Sequence, residues 1–334
     1  MTSSSAPVID VAGLRKRYGR VEALADLTMT VRPGEVFGFL GPNGAGKTTT
    51  VKLLLGLARP SGGSGRSGRV LGAPLGDLEA RRRIGYLPEL FRYQPWLRAR
   101  EVLDLHADLI GLPRAGRART FDEVLGLVGL SDRASDAVSS FSKGMKQRLG
   151  LGVALVGDPA LVILDEPTSA LDPIGRIDVR SILRTARDRG AAVFLNSHLL
   201  TEVEQVCDRV AIVDRGRVVA EGSLAEVLGE WETRIRVEGL APAGLAALAG
   251  FGRPKFDGRD LVVRELSAER VPDLVAALVA MGVRVHEVVS GRDSLEQRFL
   301  ELVSRGPRDG DTSPVRPGRP DDRAGGGADG GATA

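Results

Sequence analysis

The run Gly41-Pro42-Asn43-Gly44-Ala45-Gly46-Lys47-Thr48 restricts what this chain can fold into more than any other stretch. It follows the apolar segment VFGFL (36–40) and precedes the helical run TTVKLLLGL, so it sits where a strand hands over to a helix. Its glycines let the backbone curl until successive N–H groups face one point, and the helix N-terminus adds positive potential there. A phosphate group is the ligand that suits such a cradle. Lys47 would reach the β and γ phosphates of a nucleotide, the Thr48 hydroxyl would ligate Mg2+, and Thr49 would sit near the α phosphate. The plain alternative is a glycine-rich turn before a helix.

Leu161-Val162-Ile163-Leu164-Asp165-Glu166 weighs against that alternative, because an apolar strand here ends in two adjacent carboxylates. A buried strand does not carry terminal acids without a use for them. Asp165 would hold Mg2+ through water, and Glu166 would polarise an attacking water as general base. The competing use for Asp165 is to cap the helix that follows.

At 334 residues and 43% hydrophobic composition the chain can bury one large core and a smaller second one. Its 46 Lys and Arg against 43 Asp and Glu leave a net charge of +3, too weak a basic excess to argue for nucleic acid. The lone cysteine, Cys207, excludes an internal disulfide and reads as a buried thiol in a helix. The opening MTSSSAPVID lacks the basic and apolar regions of a secretory signal, and no window approaches about 20 uninterrupted apolar residues. Work at a membrane would need a partner that spans it.

Up to about Glu230, apolar strands such as VFGFL, LVILD (161–165) and AVFLN (192–196) alternate with helical stretches, the pattern of an α/β layered domain with a buried parallel sheet. Between about 90 and 158 the apolar residues take helical spacing, as in Val102, Leu105 and Leu109 and in Phe121, Val124, Leu125 and Val128, which predicts an inserted helical subdomain. A second unit at 231–304 reads as β-α-β-β-α-β with a closing helix, a ferredoxin-like α+β pattern with a hairpin turn at Asp257-Gly258. Residues 1–7 and 305–334 are expected to be disordered, and PSGGSGRSGR at 60–69 to be an exposed flexible loop.

Taken together, residues 8–228 resemble the ATP-binding subunits of ABC transporters, a P-loop NTPase family. Phe141-Ser142-Lys143-Gly144-Met145-Lys146-Gln147-Arg148 is similar to the signature written LSGGQxQR, matching at Ser142, Gly144, Gln147 and Arg148. Lys143 and Met145 depart from it in a manner associated with drug and polysaccharide exporters of the ABC-2 kind. Ser169-Ala170-Leu171-Asp172 resembles the D-loop, Asn196-Ser197-His198 the switch histidine, and Gly85-Tyr86-Leu87-Pro88-Glu89 the Q-loop, where Glu89 replaces the usual Gln. Tyr18 is similar to the aromatic that stacks on adenine.

The resemblance implies ATP and Mg2+ as ligands and a shared site. Ser142 and the N–H of Gly144 would donate to the γ phosphate held by a facing copy, so two ATPs would join a head-to-tail dimer that hydrolysis releases. Gly144 would suit that role because a side chain blocks close backbone approach. His198 would contact the γ phosphate beside Glu166, Glu89 would accept from water or ligate Mg2+, and Asp172 would either communicate across the dimer or cap the next helix. His106 and His286 read as satisfied structural residues. The implied partner is a separate transmembrane permease at the cytoplasmic face of the membrane. Tyr93 and Trp96, in the aromatic-rich segment after the Q-loop, would touch it or else pack inside the helical subdomain. The closing helix, with Asp293 or Ser294 as cap and Leu295, Phe299 and Leu302 as an apolar stripe, is similar to the last helix of ABC-2 exporter subunits. A soluble ABC ATPase acting on translation or DNA is the competing reading; a single motif set without sustained heptads speaks against it.

Overall fold

The computed structural model describes residues 6–62, 68–169, 171–229, 232–241, 244–292 and 294–304. The disorder expected for residues 1–5 and 305–334, the centre of the expected flexible loop at 63–67, and the cap candidate Asp293 lie outside the described residues.

Two antiparallel strands, β1 (Ile9–Tyr18) and β2 (Val21–Val31), open the chain. The buried strand β3 (Val36–Leu40) then leads into helix α1 (Lys47–Leu54). Short strands β4 (Arg69–Val70) and β5 (Ala73–Pro74) and helix α2 (Leu78–Arg82) precede β6 (Ile84–Leu87). Three helices follow without a strand between them: α3 (Ala99–Ile110), α4 (Arg117–Leu127) and α5 (Lys143–Leu155). The chain returns to the sheet through β7 (Leu161–Asp165), α6 (Pro173–Asp188), β8 (Ala192–Asn196), α7 (Leu200–Val206), β9 (Arg209–Asp214), β10 (Arg217–Ser223) and α8 (Leu224–Leu228).

Among the described residues these strands form one sheet in the order β5-β4-β1-β2-β10-β9-β3-β8-β7-β6, with β9, β3, β8, β7 and β6 running parallel. The parallel strands are unbroken apolar runs because both of their faces are covered. Val36, Leu40, Val162, Leu164, Val193 and Leu195 join the core that also holds side chains of α5, α6 and α7. Phe37, Phe39, Leu161, Ile163 and Phe194 point the other way, into the core built with α1 and the β1–β2 pair. Each such side chain contributes about 1.5–3 kcal/mol on burial, and Phe39 and Phe194 add a tilted ring contact at 5.2 Å.

The helical segment shows which of its apolar residues meet the core. Val102 is fully buried, but Leu105 and Leu109 are exposed; α3 turns Ala99, Val102, Leu103 and Ala107 inward. Small residues at 99 and 107 let α3 lie close to its neighbours, while Leu105 and Leu109 share the outward face with Glu101, Asp104 and Asp108.

The second unit holds β11 (Glu232–Glu238), α9 (Gly244–Ala247), β12 (Arg253–Phe256), β13 (Asp260–Arg264), α10 (Val271–Ala280) and β14 (Arg284–Gly291). Its strand order is β12-β13-β11-β14, antiparallel throughout, which is the ferredoxin-like arrangement of a βαββαβ chain. Gly258, at φ 101°, turns the hairpin, and Asp257 Oδ1 accepts from the N–H groups of Arg259 and Asp260. Ile235, Val237, Leu261, Val263, Leu274 and Leu278 form a core of its own. The closing helix α11 (Leu295–Ser304) does not join that core: Leu295 is buried in the core of the first unit, and Phe299, Leu302 and Val303 pack against it. No helix among the described residues is long and apolar enough to cross a membrane.

Candidate functional site

Strand order places the site. The phosphate loop leaves the C-terminal end of β3, Asp165 and Glu166 end β7, and β8, which ends in Asn196, lies between them. Loops at the carboxyl ends of neighbouring parallel strands converge, so motifs more than a hundred residues apart in sequence come together. Glu89 follows β6, the next strand beyond β7.

The phosphate loop is wedged tightly against its surroundings. A Cβ at Gly41 would stand 2.4 Å from the Val213 carbonyl oxygen, and one at Gly46, where φ is 104°, would stand 2.6 Å from that of Ala23. Gly46 is the N-cap of α1, with no side chain to obstruct the free N–H groups of the first turn. Lys47 Nζ donates to the carbonyls of Gly41 at 2.7 Å and Pro42 at 3.2 Å, which holds the ammonium over the loop's own mouth. Burial lowers the Lys47 pKa, while the charges of Glu166, Asp165 and Glu89 oppose that effect.

Asp165 and Glu166 are both buried. Burial raises the Asp165 pKa above the ordinary carboxylate value, and the charges of Glu89 and Glu166 push the same way. The Asn196 amide, whose Nδ2 donates to Asp165 Oδ1 at 2.5 Å, acts against them. Burial, then the Asp165 charge, also raises the Tyr86 phenol. Glu166 sits at φ 54°, an uncommon conformation for a residue with a side chain, and its N–H donates to the Asn196 carbonyl at 2.9 Å. His198 Nδ1 stands 2.7 Å from Glu166 Oε2, yet that oxygen is buried without an aligned hydrogen-bond donor. A buried acceptor in that condition fits a group whose partner arrives with a ligand.

The structure thus brings the phosphate loop, Asp165, Glu166, His198 and Glu89 to one place. Three carboxylates against one ammonium leave an excess of negative charge that a divalent cation would neutralise. Among the described residues no group of three or more His, Cys, Asp or Glu side chains is spaced to hold a metal by itself. Mg2+ takes one or two carboxylates and completes its shell with phosphate oxygens and water. Thr48, in the first turn of α1, and Asp165 are the residues that would hold it.

The remaining sequence candidates lie elsewhere. Ser142 is the N-cap of α5, its Oγ accepting from Met145 N–H at 3.2 Å, which leaves its hydroxyl hydrogen free to donate. A Cβ at Gly144 would meet Leu171 Cδ2 at 3.4 Å and Ser142 Oγ at 4.0 Å, ordinary contacts, so neither requires glycine there. Asp172 takes the capping role, its Oδ1 accepting from Gly175 N–H at 2.7 Å at the start of α6. Tyr18 is exposed at the end of β1 with the Lys16 ammonium 4.8 Å over its ring. Tyr93 packs inward against Phe91 and His106, whereas Trp96 is exposed. His106 Nδ1 pairs with the Val102 carbonyl and His286 Nε2 with Glu238, and Cys207 is buried at the end of α7.

Three contacts went unassigned along the sequence. Asn196 orients Asp165; Gln147 Nε2 donates to the Pro167 carbonyl at 2.8 Å; and Arg148 pairs with Asp178 on α6 at 2.6 Å. The last two tie the signature helix to the segment after the paired acids. Only the adjacency of Asn196 to the switch motif could have flagged it.

A family model described as ABC transporter matches residues 24–169. An uncharacterized ABC transporter ATP-binding protein of Synechocystis sp. is 41% identical over 300 residues, covering 86% of this chain and 80% of the relative. The Nod factor export ATP-binding protein I of Ralstonia nicotianae is 36% identical over 225 residues, 67% of this chain and 70% of the relative. A solved structure described as the ATP-binding subunit of an ABC transporter aligns with a TM-score of 0.61 at 34% identity, covering 66% of this chain and 91% of the other.

Proposed function

This chain belongs to the ABC transporter ATP-binding proteins, and from that membership we propose that it powers an exporter by closing on ATP against a second copy of itself. It binds ATP and hydrolyses it to ADP and phosphate to drive transport. The observation that carries the reading is the meeting of Lys47 with Asp165 and Glu166 around one point, with His198 at 2.7 Å from Glu166. Export, rather than an ABC ATPase outside transport, is supported by the Nod factor export relative and by the signature variant at Lys143 and Met145.

In this mechanism the N–H groups of residues 44–49 and the Lys47 ammonium bind the phosphates. Bound Mg2+ would be held by Thr48 and Asp165 and would supply neutralisation of phosphate charge. Glu166 takes the proton of the attacking water, and His198 orients that water and the γ phosphate from the other side. Tyr18 carries the adenine, while Glu89 faces the phosphates from the end of β6. Ser142 and Gly144 complete the site of the opposite subunit, and Asp172 stands at the junction between the two.

A groove of ≈ 730 Å³ opens between β6 and α3, lined by Phe91, Tyr93, Leu105, His106 and Leu109 among others. It is the surface proposed for the separate membrane-spanning partner, with the chain on the cytoplasmic side. Leu105, Leu109 and the nearby Trp96 supply the exposed apolar area such a contact needs.

The test is ATP hydrolysis by the purified full-length chain with Mg2+, compared with Lys47→Ala. Phosphate release that is equal in the two proteins would end the assignment of the site.

A further inference from the structure

The closing helix α11 reaches the nucleotide site. Phe299 lines a cleft of ≈ 200 Å³ together with Gly41, Pro42 and Asn43 of the phosphate loop and Ser197, His198 and Leu200 of the switch segment. The helix is seated by several independent contacts. Leu295 is fully buried in the nucleotide-domain core; its N–H donates to Glu204 Oε2 on α7 at 3.2 Å; and Arg298 Nε donates to the Val227 carbonyl on α8 at 3.2 Å. α7 begins at Leu200, two residues after His198, so the helix that carries Phe299 is bonded to the helix that follows the switch segment.

His198 needs such a wall. Its side chain is 59% exposed, and the acid paired with it is Glu166. A loop histidine with so little packing holds its ring in place only if something bulky closes the open side.

We propose that Phe299 is a positioning residue for ATP hydrolysis: its ring braces the gap between Asn43 and His198, and the C-terminal unit thereby becomes a structural part of the catalytic site. This rests on the ATPase reading above. The chain leaves the first unit after α8, builds the β11–β14 sheet and returns as α11, so that unit is anchored at both ends, and its return anchor is the helix bearing Phe299. A shift of the C-terminal unit is felt at His198 without any contact of that unit with nucleotide.

The experiment compares full-length wild type, Phe299→Ala, Phe299→Leu and Leu302→Ala for ATP turnover and thermal midpoint. Leu302 packs on the same core but does not line the cleft. Loss of the brace lowers kcat about 10-fold in Phe299→Ala with KM for ATP within about twofold, since misplacement of a reacting group costs rate more than binding. Phe299→Leu, which keeps part of the bulk, lies between, about 3-fold down by the same argument. Leu302→Ala lowers the midpoint while keeping kcat. A kcat equal to wild type in Phe299→Ala, or an equal fall in Leu302→Ala, overturns the proposal. Should Phe299→Ala not fold, wild-type kcat in Phe299→Leu overturns it. A wild-type chain without ATPase activity instead removes the reading on which it rests.

Discussion

His198 Nδ1 stands 2.7 Å from Glu166 Oε2, an imidazole that is 59% exposed beside a carboxylate that is 10% exposed. The buried member is fixed by β7 and by its N–H bond to the Asn196 carbonyl, and the exposed member faces the cleft that Phe299 also lines. This asymmetry suits a base held in the core and an imidazole that meets the ligand at the surface. Glu166→Gln is expected to lower kcat about 10²–10⁴-fold while leaving ATP binding intact, and to accumulate an ATP-bound dimer on gel filtration. Unchanged turnover would remove Glu166 from the role of base.

Asn196 donates to Asp165 between neighbouring parallel strands, where Asp165 and Asn196 are register partners. A group that orients a metal-binding carboxylate affects metal affinity more than nucleotide recognition. Asn196→Ala is expected to raise the Mg2+ concentration for half-maximal ATPase about 10- to 100-fold. A titration superimposable on wild type would show that the bond only holds the strands.

Asp165 carries a raised pKa, chiefly from burial. In the folded chain it binds its proton more tightly than in the unfolded one, so stability falls as pH rises from the ordinary carboxylate value through the raised one. Without nucleotide or Mg2+, Asp165→Asn is therefore expected to raise the thermal midpoint at neutral pH, a gain that shrinks in acid, and to abolish Mg2+-dependent hydrolysis. Calorimetry at pH 4 and pH 7.5 checks both the sign and the trend; a lower midpoint at neutral pH would contradict the account.

Gly144 has room for a methyl group inside its own subunit, the nearest contact being 3.4 Å away. Alanine is also the better helix former by about 1 kcal/mol. Gly144→Ala is expected to fold with an unchanged or raised midpoint yet lose about 10²-fold in ATPase, because the lost space lies against a facing copy. Full activity in this variant would count against the shared site.

Trp96 is 73% exposed, two residues after Gln94, which lines the groove together with Leu109. Trp96→Ala combined with Leu109→Glu is expected to leave the ATPase of the isolated chain within about twofold and to weaken retention by the membrane partner by about 2 kcal/mol or more, the scale of an interface hot spot. Undiminished co-purification would place the partner elsewhere.

Much of this molecule was legible along the chain because its signals are local. VFGFL, LVILD and AVFLN are apolar on both faces, which only strands covered on both sides tolerate, and all three are strands of the parallel sheet. Asp257-Gly258 marked its hairpin because the turn demands a positive φ. Val102, Leu105 and Leu109 marked a helix, but periodicity does not say which face meets the core: α3 turns Ala99, Val102, Leu103 and Ala107 inward.

Spacing and residue type along the chain were enough to mark the phosphate loop and the paired acids as candidates, since each is built from neighbours whose backbone and side-chain chemistry act together; His198 was marked by the family resemblance. Strand order decided the rest. By setting β8 between β3 and β7 it put Asn196 on Asp165 and His198 on Glu166, and by returning α11 to the nucleotide domain it put Phe299 beside His198. Contacts between residues far apart in sequence depend on which surfaces pack to bury apolar area, and no local pattern encodes that choice.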